Sequence, residues 1–512
     1  MLTNVDDMRT SDSKGRISSQ ALILTVTNLI ISLIGLLSSM LLSRYRTLDE
    51  YGTYSQVIMV TELVSTVLLM GLPQTVGYFL SRAENEEEKK RFFTLYSILS
   101  TLVTAVIGIC LFLATPLIVA YFNNPYITAF SYVFAVYPWS SIMINTLSSV
   151  LVVYGRSGKL ACFTLIHSLT TLLTVILTVA LSVEFERYVL IYIITTAVFA
   201  VVAFTLCALR VGGFSLSGKM GSLLREVFAY AIPLGLASSV GSVNIQLDKL
   251  FIGTMFSTEE YALYMNASRA LPITALATAL TSVLLPKLVV LLKKEKNEDA
   301  VTLWGSSIKM SYIVLCALVG GIIVFAPDAM SLLYSEKYVT EASVAVFRIY
   351  AVTMLFSVTY FGIVLNSKGR TDLIFISALA SLLTNCVGNF VFYHLLGFIG
   401  PAVSTLLVTA LIALLQLFAT SKVTGVRLSK IFPFWDLARY TLEVGAACGV
   451  LAIVKYTLLK DAQGTTSILI SLAMGLALCL GYWLLKKRAL AESFSHLNEF
   501  KEVSDDEEKK NS

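Results

Sequence analysis

Residues 46–54 read RTLDEYGTY, and 210 positions later residues 256–264 read FSTEEYALY. Each places an acidic pair ahead of Tyr-x-x-Tyr: DEYGTY at 49–54 and EEYALY at 259–264. Each also stands between two apolar runs. The offset recurs in the punctuation around them. The charged loop SRAENEEEKKR (81–91) falls on LLKKEKNEDAV (291–301), Pro116 falls one residue short of Pro327, and GRSGK (155–159) falls close to SKGRT (367–371). A unit of chain therefore occurs twice.

Composition says what the unit is made of. The 512-residue chain is 56% hydrophobic and 14% charged, with mean hydropathy +0.78. A soluble protein carries about 25% charged residues. Apolar runs of bilayer-spanning length recur along the chain. A lipid-exposed backbone must satisfy its own hydrogen bonds, so spans are helices or a closed barrel. Barrel segments alternate polar and apolar over ~10 residues; these runs are longer and apolar all round, so they are helical. Fourteen spans are expected: 21–43, 53–80, 92–115, 127–154, 160–181, 188–209, 227–252, 261–291, 306–326, 341–366, 371–393, 401–421, 437–457 and 466–485.

The fold expected is an all-α polytopic membrane protein of about fourteen transmembrane helices. Its parts are a tail (1–20), a six-helix bundle (21–209), a linker (210–226), a second six-helix bundle (227–421), an added helix pair (437–485) and a charged tail (486–512). The offset spans an even number of helices, so the bundles share one orientation, as parallel repeats about an axis along the membrane normal. The side carrying both tails and the loops after even-numbered spans holds 26 Lys and Arg, against six on the other side. That bias puts both termini in the cytoplasm of a multi-pass protein of the cell membrane. The first run, 21–43, is longer than the apolar core of a signal peptide and reads as an uncleaved helix. The tail KEVSDDEEKKNS (501–512) reads as solvated and disordered.

Two equal bundles in a membrane imply a cavity at their interface and rocking between two open states. The repeated motif then reads as a twice-used helix start. Its acids cap the following helix, and its tyrosines suit the interfacial aromatic belt.

Several stretches resemble the Wzx-type oligosaccharide-lipid flippases of the MOP superfamily. They are Arg-x-Leu-x-Glu-Tyr-Gly-x-Tyr (Arg46 to Tyr54), Gly71-Leu72-Pro73, Ile232-Pro233-Leu234, Asp248-Lys249-Leu250 and LLGFIGPAVST (395–405). Their order, the doubled six-helix unit and the extra helix pair carry the likeness over essentially the whole chain. The resemblance implies a substrate, an undecaprenyl-diphosphate-linked oligosaccharide moved between leaflets for surface polysaccharide synthesis. It implies membrane lipids and polysaccharide-assembly proteins as partners, H+ or Na+ as the coupling ion, and no cofactor. By the same analogy, a groove along the last two spans would hold the polyprenyl tail.

Ionisable residues inside the membrane are costly and mark function. Arg269, in the span 261–291, is expected to face the cavity and hold the diphosphate, because a guanidinium binds phosphate oxygens in pairs and stays charged when buried. Asn266, three residues earlier, shares its helix face, as Asn244 shares one with Asp248. Asp248 with Lys249 reads either as a local ion pair or as a substrate or coupling-ion contact. Arg348 reads either way between cavity and structure. Glu62 is a coupling-proton site or the partner of a basic residue. Lys309 reads as a snorkelling anchor and His167 as an interhelical hydrogen-bonding residue. Arg44 and Arg46 are interfacial anchors or a second station for the diphosphate.

Other signals are weaker. GRSGKL (155–160) has the wrong spacing for a P-loop. The seven cysteines lie in apolar runs without CxxC spacing and read as small apolar fillers, so no metal site is expected. The net charge of +5 reflects topology, and no nucleic-acid partner is expected. A cation-coupled drug antiporter of the MATE type would usually stop at twelve spans and favour acidic cavity residues. A lipid II-type flippase would share the fourteen-span plan. A polymerase or ligase would need a large outer loop with catalytic residues, which the chain lacks. A purely structural role fits poorly with the repeat and the buried arginine.

Overall fold

The computed structural model describes residues 3–269, 271, 275–459, 462 and 464–495. The tail 501–512 and Lys460 lie outside them. Among the described residues the regular structure is helical. The chain forms two compact units, Met1–Ala262 and Leu263–Ser512. The first holds α1 (Thr3–Tyr45), α2 (Leu48–Leu68), α3 (Leu72–Arg82), α4 (Glu86–Leu113), α5 (Thr115–Phe122), α6 (Ser131–Val153), α7 (Ser157–Ala180), α8 (Phe185–Val211) and α9 (Met220–Met255). The start of α10 (Thr258–Ala267) also belongs to it. The second holds α11 (Ala275–Lys293), α12 (Asn297–Val324), α13 (Ala326–Tyr334), α14 (Glu341–Met354), α15 (Ile363–Ser367), α16 (Thr371–Leu396), α17 (Gly400–Thr424), α18 (Leu428–Ile431), α19 (Phe434–Ile453) and α20 (Gly464–Leu485).

The repeat is visible in the element bounds. Helices α4 and α12 are both 28 residues long. Pro116 and Pro327 do not close those helices; each stands in the first turn of the short helix that follows, α5 or α13. Proline belongs there, because a first-turn N–H has no intrahelical acceptor. Packing adds something the repeat does not contain: α9, which opens the second sequence repeat, packs on α2 and α3 within the first unit.

The opening motif is a helix start in both copies. The Glu50 N–H donates to Thr47 Oγ1 at 3.2 Å, and the Thr47 N–H donates to Glu50 Oε2 at 2.9 Å. In the second copy the Glu260 N–H donates to Ser257 Oγ at 3.2 Å, and the Ser257 N–H donates to Glu260 Oε2 at 3.0 Å. Both are reciprocal capping boxes. The tyrosines correct the aromatic-belt expectation. Tyr51, Tyr261 and Tyr264 are buried, and Tyr54 packs among the rings of Phe185, Tyr188 and Tyr192. Their rings fill helix contacts, where a large aromatic area is worth more than at a wet boundary.

One difference inside the motif, Gly52 against Ala262, has a steric cause. A Cβ on Gly52 would lie 2.4 Å from the Thr258 carbonyl oxygen, at the start of the second copy. Gly52→Ala is therefore expected to lower stability by about 1–3 kcal/mol, the usual cost of overpacking. A lower unfolding temperature in detergent checks it; an unchanged one would mean the helix starts shift apart freely.

Among the described residues, ten segments are long and apolar enough to cross a membrane. Helices α2 and α3, bent by 50° at their junction, together make an eleventh. One of the ten, Thr371–Thr424, contains both α16 and α17, which pack along each other. Besides the bend in the run 53–80, two further expected spans are interrupted. The run 261–291 is not one helix: α10 stops at Ala267 and α11 starts at Ala275. The sequence there is Leu271-Pro272, and the residue before a proline is driven out of the helical region. The run 341–366 breaks after α14, where Thr359 is extended at φ −152°. Helix α12 lies at the heart of the second unit, with Trp304 fully buried. Outer faces are apolar and uncovered, as Leu102, Val106, Ile109 and Leu113 on α4 show. That stripe suits lipid, where apolar exposure carries no penalty.

Candidate functional site

In the first unit, α2, α3 and α6 line a polar cavity of about 460 Å³. Helix α6 contributes Tyr137, Ser141, Asn145 and Ser149, four residues apart and hence one face. Helix α2 contributes Glu62, Ser65 and Thr66, and α3 contributes Gln74. The Tyr137 hydroxyl donates to Glu62 Oε1 at 3.0 Å. Glu62 is exposed to this cavity and has no cation within salt-bridge distance among the described residues. Of its two sequence readings, the structure thus gives no basic partner. A carboxylate held by a phenol in a polar cavity can exchange a proton or receive a cation. The polar stripe on α6 was readable as a four-residue period, yet it escaped the sequence reading because it carries no charge.

The second unit holds two polar clusters. Lys455, buried in a π-helical turn (Val454–Leu458), lies 3.2 Å from Asp328 Oδ2. The Ser471 hydroxyl donates to Asp328 Oδ2 at 2.8 Å, and Ser467 donates to the other carboxylate oxygen. This cluster closes one end of an apolar groove of about 250 Å³ between α12, α13 and α20, lined by Leu318, Phe325, Leu472 and Leu476. The second cluster is a seam between α16 and α17. There Ser404 donates to Asn385 Oδ1 at 3.0 Å and Gln416 donates to Ser377 at 2.8 Å. Asn389 in that seam is fully buried, and neither of its amide atoms has a hydrogen-bond partner among the described residues.

The residues singled out in the sequence are scattered. Arg269 is not inside a helix. It lies two residues past the end of α10, half-buried, and its N–H donates to the Asn266 carbonyl at 3.3 Å. The expectation of an arginine within a continuous span is corrected by the break at this point. Asn266 is buried in the last turn of α10. On α9, Asp248 is 2% exposed and lies 3.5 Å from Lys249 Nζ; Asn244, one turn earlier, is half-buried. Arg348 Nε donates to the Ile323 carbonyl at 3.0 Å, so it satisfies one of the last carbonyls of α12. Arg44 is exposed in the last turn of α1. Arg46 donates to the Val183 carbonyl at 2.8 Å and packs over Phe185 and Tyr188, an anchoring role. Lys309 pairs with Asp436. His167 packs against Phe199, and its Nε2 has no hydrogen-bond partner among the described residues. No group of three metal-ligating side chains occurs among the described residues.

The model of a family described as "Polysaccharide biosynthesis protein" matches residues 41–345. The chain belongs to that family. The chain is 22% identical over 197 residues to the capsular polysaccharide biosynthesis protein CapF of Staphylococcus aureus, covering 38% of this chain and 49% of CapF. It thus spans about half the length of that curated relative. Its fold is similar to that of a lipid II flippase, MurJ, solved in an inward-closed conformation, at TM-score 0.71 and 15% identity, over 91% of this chain and 99% of MurJ. A multidrug-resistance MATE transporter of the MOP superfamily, inward-facing, follows at TM-score 0.61 and 16% identity, over 80% and 99% of the two chains. The all-α polytopic membrane fold and the Wzx-type resemblance read from the sequence are met.

Proposed function

We propose that this protein flips an undecaprenyl-diphosphate-linked oligosaccharide from the cytoplasmic to the outer leaflet of the cell membrane, by alternating access. The observation that carries the reading is a polysaccharide-biosynthesis family match laid over a flippase-like fold. Both termini are cytoplasmic, on the Lys and Arg bias. The sugar head and diphosphate need a polar path; the tail can stay in hydrocarbon. Arg269 serves the diphosphate as a planar, permanently charged fork, with Asn266 beside it and with Asn244, Asp248, Arg348 and Arg44 as further contacts along the route. The apolar groove beside α20 suits a polyprenyl chain, since it offers almost no polar surface. Glu62 carries the coupling ion, with Asp248 as the alternative carrier. A lipid II-type substrate fits the same fold, and the acid-lined cavity of α2 and α6 suits a cation-coupled antiporter of the MATE kind.

The experiment reconstitutes purified protein in proteoliposomes with the lipid-linked oligosaccharide and scores its appearance in the opposite leaflet. Wild-type protein is expected to flip it, and Arg269→Ala to slow flipping by roughly 10²-fold, the loss of one charge-assisted phosphate contact of about 2–3 kcal/mol. Transport of lipid II alone would move the substrate to peptidoglycan. No flipping of either lipid, at any imposed ion gradient, would sink the flippase reading in favour of the antiporter.

A further inference from the structure

Helices α3 and α9 meet along a seam of unusual closeness. At its inner end two glycines touch backbone to backbone. A Cβ on Gly235 would lie 2.0 Å from the Met70 carbonyl carbon, and one on Gly71 would lie 2.4 Å from the Ala231 carbonyl oxygen. No side chain fits there. Further along, the rings of Tyr78 and Tyr230 stack at 4.3 Å and 13°, with Phe79 edge-on to Tyr230. At the far end Arg82 lies 4.0 Å from Glu226, both more than half exposed.

Two voids lie at the two ends of α3. The Glu62 cavity includes the first turn of α3, at Gly71, Pro73 and Gln74. A second pocket of about 300 Å³, at the charged end of the bundle, includes its last turn, at Phe79 and Arg82, together with Glu226 and Ser222 of α9. The voids share no lining residue. The stretch of α3 between them carries the Tyr78–Tyr230 stack. Helix α3 is also joined to α2 by a built-in bend. Met70 and Gly71 are both left-handed, at φ 42° and 76°, and the two helices diverge by 50°. A methionine at positive φ is a strained position, the kind found where a chain must turn or switch.

We infer that the α3–α9 seam is a gate at the cytoplasmic mouth, which opens when α3 swings about Met70–Gly71 and admits a polar headgroup to the Glu62 cavity. This rests on the transporter reading and its orientation. The contacts suit a reversible closure. The stack and the exposed ion pair are each weak, while the glycine contact sets how tightly the helices shut. The gate joins a helix of the first sequence repeat to the first helix of the second, within one compact unit.

The test places Ser65→Cys, on the cavity wall, in full-length protein whose seven native cysteines are replaced by alanine. A membrane-impermeant maleimide is added on the cytoplasmic side of inside-out vesicles. Gly235→Ala cannot close the seam, so a minor open state becomes the major one, and labelling is expected to rise roughly tenfold or more. Unchanged labelling in a folded Gly235→Ala protein overturns the gate. Should that variant not fold, the double substitution Tyr78→Cys, Tyr230→Cys decides. Oxidation is expected to cross-link it and stop flipping, and reductant to restore it; failure to cross-link, or flipping that continues when cross-linked, overturns the gate as well. A labelling change in a protein that flips no lipid-linked glycan leaves the gate standing and removes the substrate reading instead.

Discussion

Lys455→Met is expected to lower the stability of the second unit by about 3–5 kcal/mol, the cost of leaving a buried charge without its partner. Methionine keeps most of the length of lysine and removes the ammonium. Asp328 then keeps its two serine donors but faces an apolar groove with no counter-charge. Removing both charges, as Lys455→Met with Asp328→Leu, is expected to recover most of the loss, since a buried ion pair is often replaceable by packed apolar side chains. The double-substitution cycle separates the pair's own contribution from the orphan's penalty. Unfolding in detergent, followed by intrinsic fluorescence, measures all three variants. Equal stability of wild type and single variant would mean that Asp328 sheds its charge at no cost or that water reaches the pair. The effect should concentrate on α20, because Asp328 on α13 is tied to Ser467 and Ser471 there.

Glu62→Gln is expected to abolish gradient-driven accumulation while leaving downhill flipping intact. Glutamine is nearly isosteric and still accepts from Tyr137, so the cavity keeps its shape. It cannot release a proton or hold a cation by charge. If one proton moves per cycle, each pH unit of gradient is worth about 1.4 kcal/mol, a tenfold ratio across the membrane. Wild-type protein should therefore show about tenfold accumulation per pH unit, and Glu62→Gln none. The measurement is the leaflet ratio in proteoliposomes at a series of imposed gradients. The groups within electrostatic reach of Glu62 are Tyr137 and Tyr192. Tyr137→Phe, which removes the donated hydrogen bond alone, should shift the pH dependence without flattening it. Glu62→Gln protein that still follows the gradient would pass the coupling role to Asp248, which already lies beside Lys249.

Much of the scaffold was legible in the chain. Apolar runs gave helices because hydrocarbon allows a lone span no other hydrogen-bonded form. The capping residues of RTLDEYGTY and FSTEEYALY marked two helix starts, since Thr47 with Glu50 and Ser257 with Glu260 satisfy each other locally. Interruptions were harder to read. Met70–Gly71 and the Leu271-Pro272 step sit inside runs whose hydropathy is unbroken, and hydropathy does not register backbone angles. The site was legible only where a single residue announces itself. Glu62 stood out because a charge in a span is costly. Its neighbours Tyr137, Ser141, Asn145 and Ser149 are ordinary in any helix, and only their shared face makes them a cavity wall. The pairing of Asp328 with Lys455 was not legible, because it depends on how α13 meets the π-helical turn that follows α19.

The sequence by itself determined what is local or additive: the membrane habitat, the helical class, the doubled unit, the two capped helix starts and the family. The habitat, the helical class and the helix starts follow from side-chain transfer energies or contacts within a few residues, the doubled unit and the family from motifs that recur in order along the chain, and none needs a partner from afar. Only the tertiary structure decided which buried groups meet. It set Glu62 under Tyr137, joined Lys455 to Asp328, turned Arg348 toward the end of α12, and pressed Gly235 of α9 against Met70 in the bend between α2 and α3. Such meetings depend on helix rotation and bend. A membrane span's sequence leaves both loosely specified, because lipid accepts any apolar face and only the packing of small residues and paired polar groups selects one.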